Sequence, residues 1–354
     1  MNTQNWRIQM QQAITSQEDL LKHANLNNYQ KDWLQENFSK NPLPFFLTPY
    51  FASLIKPIDN CPIFMQVISS SLEQIDEDFL VPDPLGEEER EKTPHLVHRY
   101  PDRVLFLASD RCASYCRFCT RKRWVGQGPT PQKSQAEEAF NYIKNNQQIK
   151  EIIFSGGDPL ILSNQRIKYL LDNAFSIDHI DVVRIHSRML SFLPMRIDDE
   201  LIDILKKYSP IYLVTHFNHP DEITAQTIEA INKLISAGVV LLNQSVMLKN
   251  INDDVAILTS LFRTLVKSRI KPYYLHQCDL IKGSAHFRVP IKQSLEIFSK
   301  LRGNISGLCM PSFIVETPGG FGKIALSANP IIKEDDNFIY LQGFKGDIAA
   351  YPKE

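Results

Sequence analysis

Residues 112–119 read CASYCRFC, and they hold three of the chain's six cysteines. Cys112, Cys116 and Cys119 are spaced C-x3-C-x2-C, with no fourth sulfur nearby. A structural zinc site closes with four ligands, and a fully ligated 4Fe–4S cluster takes four cysteines. Three thiolates leave one metal position open, and an open iron can bind a substrate. Zinc completed by a distant His, or three reduced core cysteines, are the competing readings. The run directly follows RVLFLAS (103–109), an apolar stretch that reads as a strand, so the thiols belong to a loop at a strand's C-terminal end.

Further short apolar runs follow: EIIFSGG (151–157), DVVRIHS (181–187), IYLVTH (211–216), VVLLNQS (239–245) and KPYYLHQ (271–277). Helical patterns separate them, among them SQAEEAFNYIKNN, DELIDILKKY, AQTIEAINKLISAG and VAILTSLFRTLVKS. Strands alternating with helices imply parallel βα units. A doubly wound sheet satisfies the same string. A partial (β/α)6 TIM-like barrel is preferred, because polar residues gather just past the strand ends: Asp110 to Cys119, Gly156 to Asp158, His186 to Arg188, His216 to His219, Gln244 and Asp279. Ligand sites of parallel α/β folds form at that edge.

Residues 1–95 read as a helical region and connector, 96–302 as the barrel, and 303–354 as a C-terminal segment. Ser16 is placed as an N-cap with Asp19 three residues on, NPLPFFLTPY interrupts any long helix, and VPDPLGEEEREKTPH reads as a solvated surface connector. The 39 basic and 40 acidic residues give a net charge of −1, which offers no electrostatic case for nucleic acid or membranes. The N-terminus MNTQNWRIQMQQ has no apolar signal core, and the cysteines form no disulfide framework, so a reducing cytoplasm is expected.

Two glycine-rich stretches bear on chemistry. Ser155-Gly156-Gly157-Asp158 allows close backbone approach beside a carboxylate that can accept from an ammonium, although GGD alone is a common turn. PGGFGK (318–323) fails the phosphate-loop pattern, since Ile324 follows the lysine. Lys323 then reads either as a solvated turn lysine or as a Schiff-base lysine for pyridoxal phosphate (PLP). Phe118 is either an ordinary loop aromatic or a ring against a bound adenine.

The C-x3-C-x2-C spacing looks like the radical S-adenosylmethionine (SAM) signature, in which SAM fills the open iron position. The ordered strings HRYPDRVL, CASYCRFCTRKR, SGGDPL, RIHSR, THFNHPDEIT, LLNQSV, PYYLHQCDL and VETPGGFGK resemble the lysine 2,3-aminomutase family from about His95 to Tyr351. That resemblance implies an isomerase using a 4Fe–4S cluster on Cys112, Cys116 and Cys119, with SAM along Gly156, Gly157, Asp158, His216 and Gln244. Lys323 would carry PLP, Tyr100 would pack near it and Arg103 would hold its phosphate. Arg121 would pair with the substrate carboxylate, and Asp279 and Glu316 with the distal ammonium of a basic amino acid. Taken alone, such charged residues are more often surface ion pairs. It further implies a low-potential electron donor of flavodoxin or ferredoxin type, and a homo-oligomer is possible.

Three departures from the family matter. The usual lysine pocket has two aspartates, whereas one is Glu316 here; its added methylene would bring a carboxylate deeper and makes the shorter ornithine an alternative to lysine, with arginine a further basic candidate. The zinc-binding C-terminal tail of long members is missing, and Asp254 stands where a further zinc-ligating cysteine is usual, so no structural zinc is expected. His276 replaces a tyrosine near the cofactor, as in relatives that make β-lysine for elongation factor P, which leaves the physiological role open.

Overall fold

The computed structural model describes residues 5–327 and 329–353, so residues 1–4, 328 and 354 lie outside them. Ten strands form one sheet in the order in which they occur in the chain. They are β1 (Glu91–Thr93), β2 (Leu96–Tyr100), β3 (Arg103–Ser109), β4 (Glu151–Gly156), β5 (Val182–His186), β6 (Ile211–Thr215), β7 (Val240–Met247), β8 (Lys271–Gln277), β9 (Ser312–Glu316) and β10 (Lys323–Ala325). Strands β3 to β9 pair in parallel. Antiparallel hairpins extend the sheet at both ends.

Six helices fill the crossovers between parallel strands: Lys133–Asn145, Asn164–Phe175, Asp199–Leu205, Ala225–Ser236, Val255–Lys267 and Ile291–Leu301. A doubly wound sheet reverses its strand order at a switch point. Here the order never reverses, and residues of β2 and β3 line the same cavity as residues of β9 and β10. The sheet therefore curls around one space, as the partial barrel requires. It has a seventh parallel strand, β9, beyond the six read from the sequence.

Strand periodicity sorts the side chains. On β7, Leu241, Asn243, Ser245 and Met247 are buried, while Gln244 and Val246 face the cavity. On β4 and β5, Ile152, Phe154, Val183 and Ile185 are buried in the core, and Glu151, Ile153, Arg184 and His186 line the cavity. This period of two builds an apolar outer layer and a polar lumen from the same strands.

The N-terminal region joins the same core: Leu20, Leu34 and Phe51 cluster with Phe106 and Phe154, and Phe51 meets Phe192 edge-on at 4.7 Å. Ser16 caps its helix as expected, its Oγ accepting from the Asp19 amide at 3.1 Å. Asp254 also has a capping role, accepting from the amides of Ala256 and Ile257 at the start of Val255–Lys267. A separate antiparallel sheet of β11 (Ile331–Glu334), β12 (Phe338–Gln342) and β13 (Ile348–Pro352) closes the described chain. Among the described residues no helix is long and apolar enough to cross a membrane.

Candidate active site

A cavity of about 530 Å³ opens within the barrel, and every site residue singled out from the sequence lines it, from Tyr100 and Arg103 through the three thiols to Glu316 and Lys323. Its volume suits a small-molecule site. The cysteine loop leaves β3 and is clamped from outside. Arg117, between the second and third thiols, is fully buried. It donates to Glu73 at 2.7 and 2.9 Å and to the carbonyls of Leu43 and Pro44 at 3.0 Å. The Pro-rich stretch thus becomes a strap over the loop, reinforced by the Tyr115 amide donating to Phe46 O.

From the other side, β4 presses its glycines against the loop. A Cβ on Gly156 would stand 2.4 Å from Ser109 O, and one on Gly157 would stand 2.3 Å from Arg111 O. Gly156 also has a φ of +117°. Only glycine permits this approach. The Asp158 amide then donates to Arg111 O at 2.7 Å, which locks the two loops in register.

The thiol loop is surrounded by satisfied polar groups. Arg188, after β5, donates to Cys116 Sγ at 2.8 Å, to His216 O at 3.0 Å and to the fully buried Glu222 at 3.0 Å. Asp158 accepts from Leu160 N, Ser187 Oγ and Arg188 N, so both of its oxygens already have partners within the protein. Burial pushes its carboxyl up to about 6. Burial likewise pushes the Cys112 and Cys119 thiols up, so these sulfurs keep their protons until a metal replaces them. Among the described residues no group of three His, Cys, Asp or Glu could hold a single metal ion. A cluster, whose irons occupy separate corners, has no need of such convergence. Cys61, Cys278 and Cys309 are buried elsewhere.

The opposite wall carries Lys323. Its Nζ contacts Glu316 Oε1, and its amide donates to the Tyr100 hydroxyl at 3.2 Å. Arg99 secures the same region, donating to Glu316 Oε2 at 2.8 Å and to Gly320 O at 3.0 Å. Arg103 stacks on the Tyr100 ring, 3.8 Å from its centroid. Burial raises the Glu316 carboxyl, but Lys323 and Arg99 outweigh it and hold the group below its ordinary range.

Among the described residues, four cavity-lining groups have a buried polar atom with no partner: His186 Nε2, His216 Nε2, His276 Nε2 and Asp279 Oδ1. Burial drives all three imidazoles down, His276 to about 3, so they are neutral at physiological pH. Burial first, then the nearby Glu316 charge, lifts Asp279 to about 7. Unpaired donors and acceptors of this kind are what a polar ligand would satisfy.

One expectation is corrected. The connector VPDPLGEEEREKTPH is not wholly solvated: Glu87 is buried and Leu85 reaches the cavity. The cause is charge, since Arg121 and Arg123 both draw the Glu87 carboxylate inward. Glu87, Arg99, Arg188 and His186 were not singled out as site residues. Arg99, His186 and Arg188 stand inside HRYPDRVL and RIHSR, whereas Glu87 has no local signal.

Comparison with known proteins agrees with this layout. The family model described as Radical SAM superfamily matches residues 107–260, and that described as Lysine-2,3-aminomutase matches residues 298–354. The L-lysine 2,3-aminomutase of Bacillus subtilis (strain 168) is 43% identical over 351 residues, covering 98% of this chain and 74% of that protein. The L-lysine 2,3-aminomutase of Clostridium subterminale is 41% identical over 348 residues, covering 98% of this chain and 83% of its own. The glutamate 2,3-aminomutase of Clostridioides difficile (strain 630) is 38% identical over 353 residues, covering 99% of this chain and 83% of its own.

Proposed function

The chain belongs to the lysine 2,3-aminomutase family of radical SAM enzymes, and from that premise we propose that it moves the α-amino group of L-lysine to C3, giving β-lysine. The observation that carries this reading is the unpartnered, buried Asp279 carboxylate in the same cavity as Arg121, Lys323 and the three thiols. A free buried carboxylate calls for a cation. A glutamate side chain would instead bring a further carboxylate against Asp279, whose ionisation burial and the nearby Glu316 charge already oppose.

The donor set fits the three groups that the family implies. Cys112, Cys116 and Cys119 would hold the 4Fe–4S cluster, and Gly156, Gly157, Asp158, His216 and Gln244 would lie along SAM. Lys323, with Tyr100 and Arg103, would take PLP. Bound there, these groups supply one-electron hydrogen abstraction and a carbonyl carbon able to carry the migrating nitrogen.

The chain's own residues do the rest. Arg121 holds the substrate carboxylate, a task suited to a planar guanidinium. Asp279 and Glu316 hold the distal ammonium, which fixes the chain between two charged ends. Glu316 touches the Lys323 amine and, with Arg99 on its other oxygen, fixes where that amine stands in the cavity. The neutral imidazoles add no competing charge, and the enclosing barrel wall keeps water from the reacting carbon.

A second reading, the same chemistry on ornithine, is favoured by Glu316, whose extra methylene over aspartate brings a carboxylate deeper into the pocket and so suits a shorter chain; arginine is the other basic candidate. Both readings are tested by anaerobic protein reconstituted with PLP, SAM and dithionite. It is incubated separately with lysine, ornithine, arginine and glutamate while β-amino acid is assayed. Lysine is expected to show the highest kcat/KM; faster ornithine turnover overturns the lysine assignment, and glutamate turnover overturns the basic class. Lys323→Ala should abolish both product and the colour of bound PLP.

A further inference from the structure

Arg121 is not free in the cavity. Its Nε donates to both oxygens of Glu87 at 3.0 Å, and its Nη2 donates to Glu87 Oε1 at 2.7 Å. Its Nη1 donates to Ser155 Oγ at 3.2 Å, at the end of β4. These contacts consume the Nε–Nη2 edge and one side of Nη1. What is left is one N–H on each of Nη1 and Nη2, two donors available to a second carboxylate.

Glu87 is itself held. Arg123 donates to its other oxygen at 3.5 Å, and the Glu87 side chain is only 5% exposed. Its turn is tied to the lysine loop: Arg90 donates to Gly86 O at 3.0 Å and to Gly319 O at 3.1 Å. Parting Glu87 from Arg121 would leave its buried carboxylate with only the 3.5 Å contact to Arg123. We infer that Glu87 is a positioning residue for the substrate, holding Arg121 by its Nε–Nη2 edge so that the remaining Nη1 and Nη2 donors receive the amino-acid carboxylate. The inference rests on the reading that Arg121 binds that carboxylate.

The test is calorimetric binding to the anaerobic PLP-loaded protein without reductant, so that nothing turns over. The two ligands are L-lysine and 1,5-diaminopentane, which is lysine without its carboxylate. Glu87→Gln keeps the shape but removes the charge that pins the guanidinium. It should weaken lysine binding about tenfold or more and leave the diamine within about twofold of the unsubstituted protein. Glu87→Asp, with charge retained and reach shortened, should show a smaller loss, again confined to lysine, and serves if the first variant does not fold. Tighter lysine binding would make Glu87 a stand-in that substrate displaces; equal loss of both ligands would make it merely structural. Either result, or no change, overturns the inference. Arg121→Lys tests the underlying reading separately: if it leaves the preference for lysine over the diamine intact, the carboxylate assignment itself fails.

Discussion

The two loops that meet across the cavity are built in opposite ways. The thiol loop is set into the core, with fully buried Arg117 clamped by Glu73 and two strap carbonyls, and with β4 glycines packed against its backbone. The lysine loop lies at the rim. All three residues of β10 are exposed, Phe321 is 85% exposed, and the loop is held mainly by arginine tips on the carbonyls of Gly319 and Gly320. The difference matches the roles proposed for them: a loop that is to carry a cluster has to keep its geometry through electron transfer, whereas an amine that is to take up and release a partner needs freedom to move.

The strongest way to break this contrast is to empty the rigid side. Cys116→Ala should leave fewer irons per chain and reduce turnover by at least about a thousandfold, because two thiolates cannot hold the cluster with one iron open. Binding of PLP to Lys323 should persist, as Tyr100, Arg103 and Lys323 all lie outside the cysteine loop. Iron analysis together with visible absorbance checks this; loss of both would show that the two sides are not independent.

Next in size is the clamp. Arg117→Met strands the buried carboxylate of Glu73, a change that costs roughly 3–5 kcal/mol. Lys122, 3.4 Å from the same carboxylate, offers partial relief. Denaturant unfolding should show the loss, and iron uptake should fall with it. A destabilisation below about 1 kcal/mol would mean that the strap does not hold the loop.

How much of this was legible differs by region for physical reasons. The strand RVLFLAS appears in the fold with its expected limits, Arg103–Ser109, because an apolar run bounded by turn residues needs no tertiary context. The thiols were legible as a group because C-x3-C-x2-C places three cysteines in one loop, while the choice among iron–sulfur, zinc and plain core readings leaned on the family resemblance of the strings around them. β9 was missed: SFIVE is short, and its burial does not alternate along the strand. The hairpin of β11, β12 and β13 was missed too, since its exposed residues lack a clear inside–outside alternation. Glu87 sits in a run of acids, which ordinarily reads as a solvated face. Only the fold brings Arg121 to it, 34 residues along the chain.

A subtler test concerns charge between the two sides. Asp279 sits at about 7 instead of 3.8, so the folded protein binds this proton more tightly than the unfolded chain does. The stability this group contributes is fully present below about pH 4 and is lost as pH rises through about 7. Lysine affinity should run the other way, rising with pH through about 7 as the carboxylate ionises. Asp279→Asn should flatten that rise and weaken lysine by about tenfold to a hundredfold, the scale of a hydrogen bond to a charged group. Calorimetry between pH 5.5 and 8.5, on the order of one unit to either side of that midpoint, decides it. A profile unchanged by the substitution would remove Asp279 from the ammonium site.

The smallest effect is expected at the most exposed point. Phe321 lies between Gly320 and Gly322 in the lysine loop, and nearly all of its ring faces solvent. Phe321→Ser removes little buried area, so the unfolding midpoint should move by an amount equivalent to less than about 0.5 kcal/mol. Gly322, at a φ of +104°, sets the backbone there whatever its neighbour carries. Binding of PLP to Lys323 should therefore also be unaltered. A destabilisation approaching that of Arg117→Met would mean that the rim packs against something in solution, and the contrast between a buried loop and an open one would no longer hold.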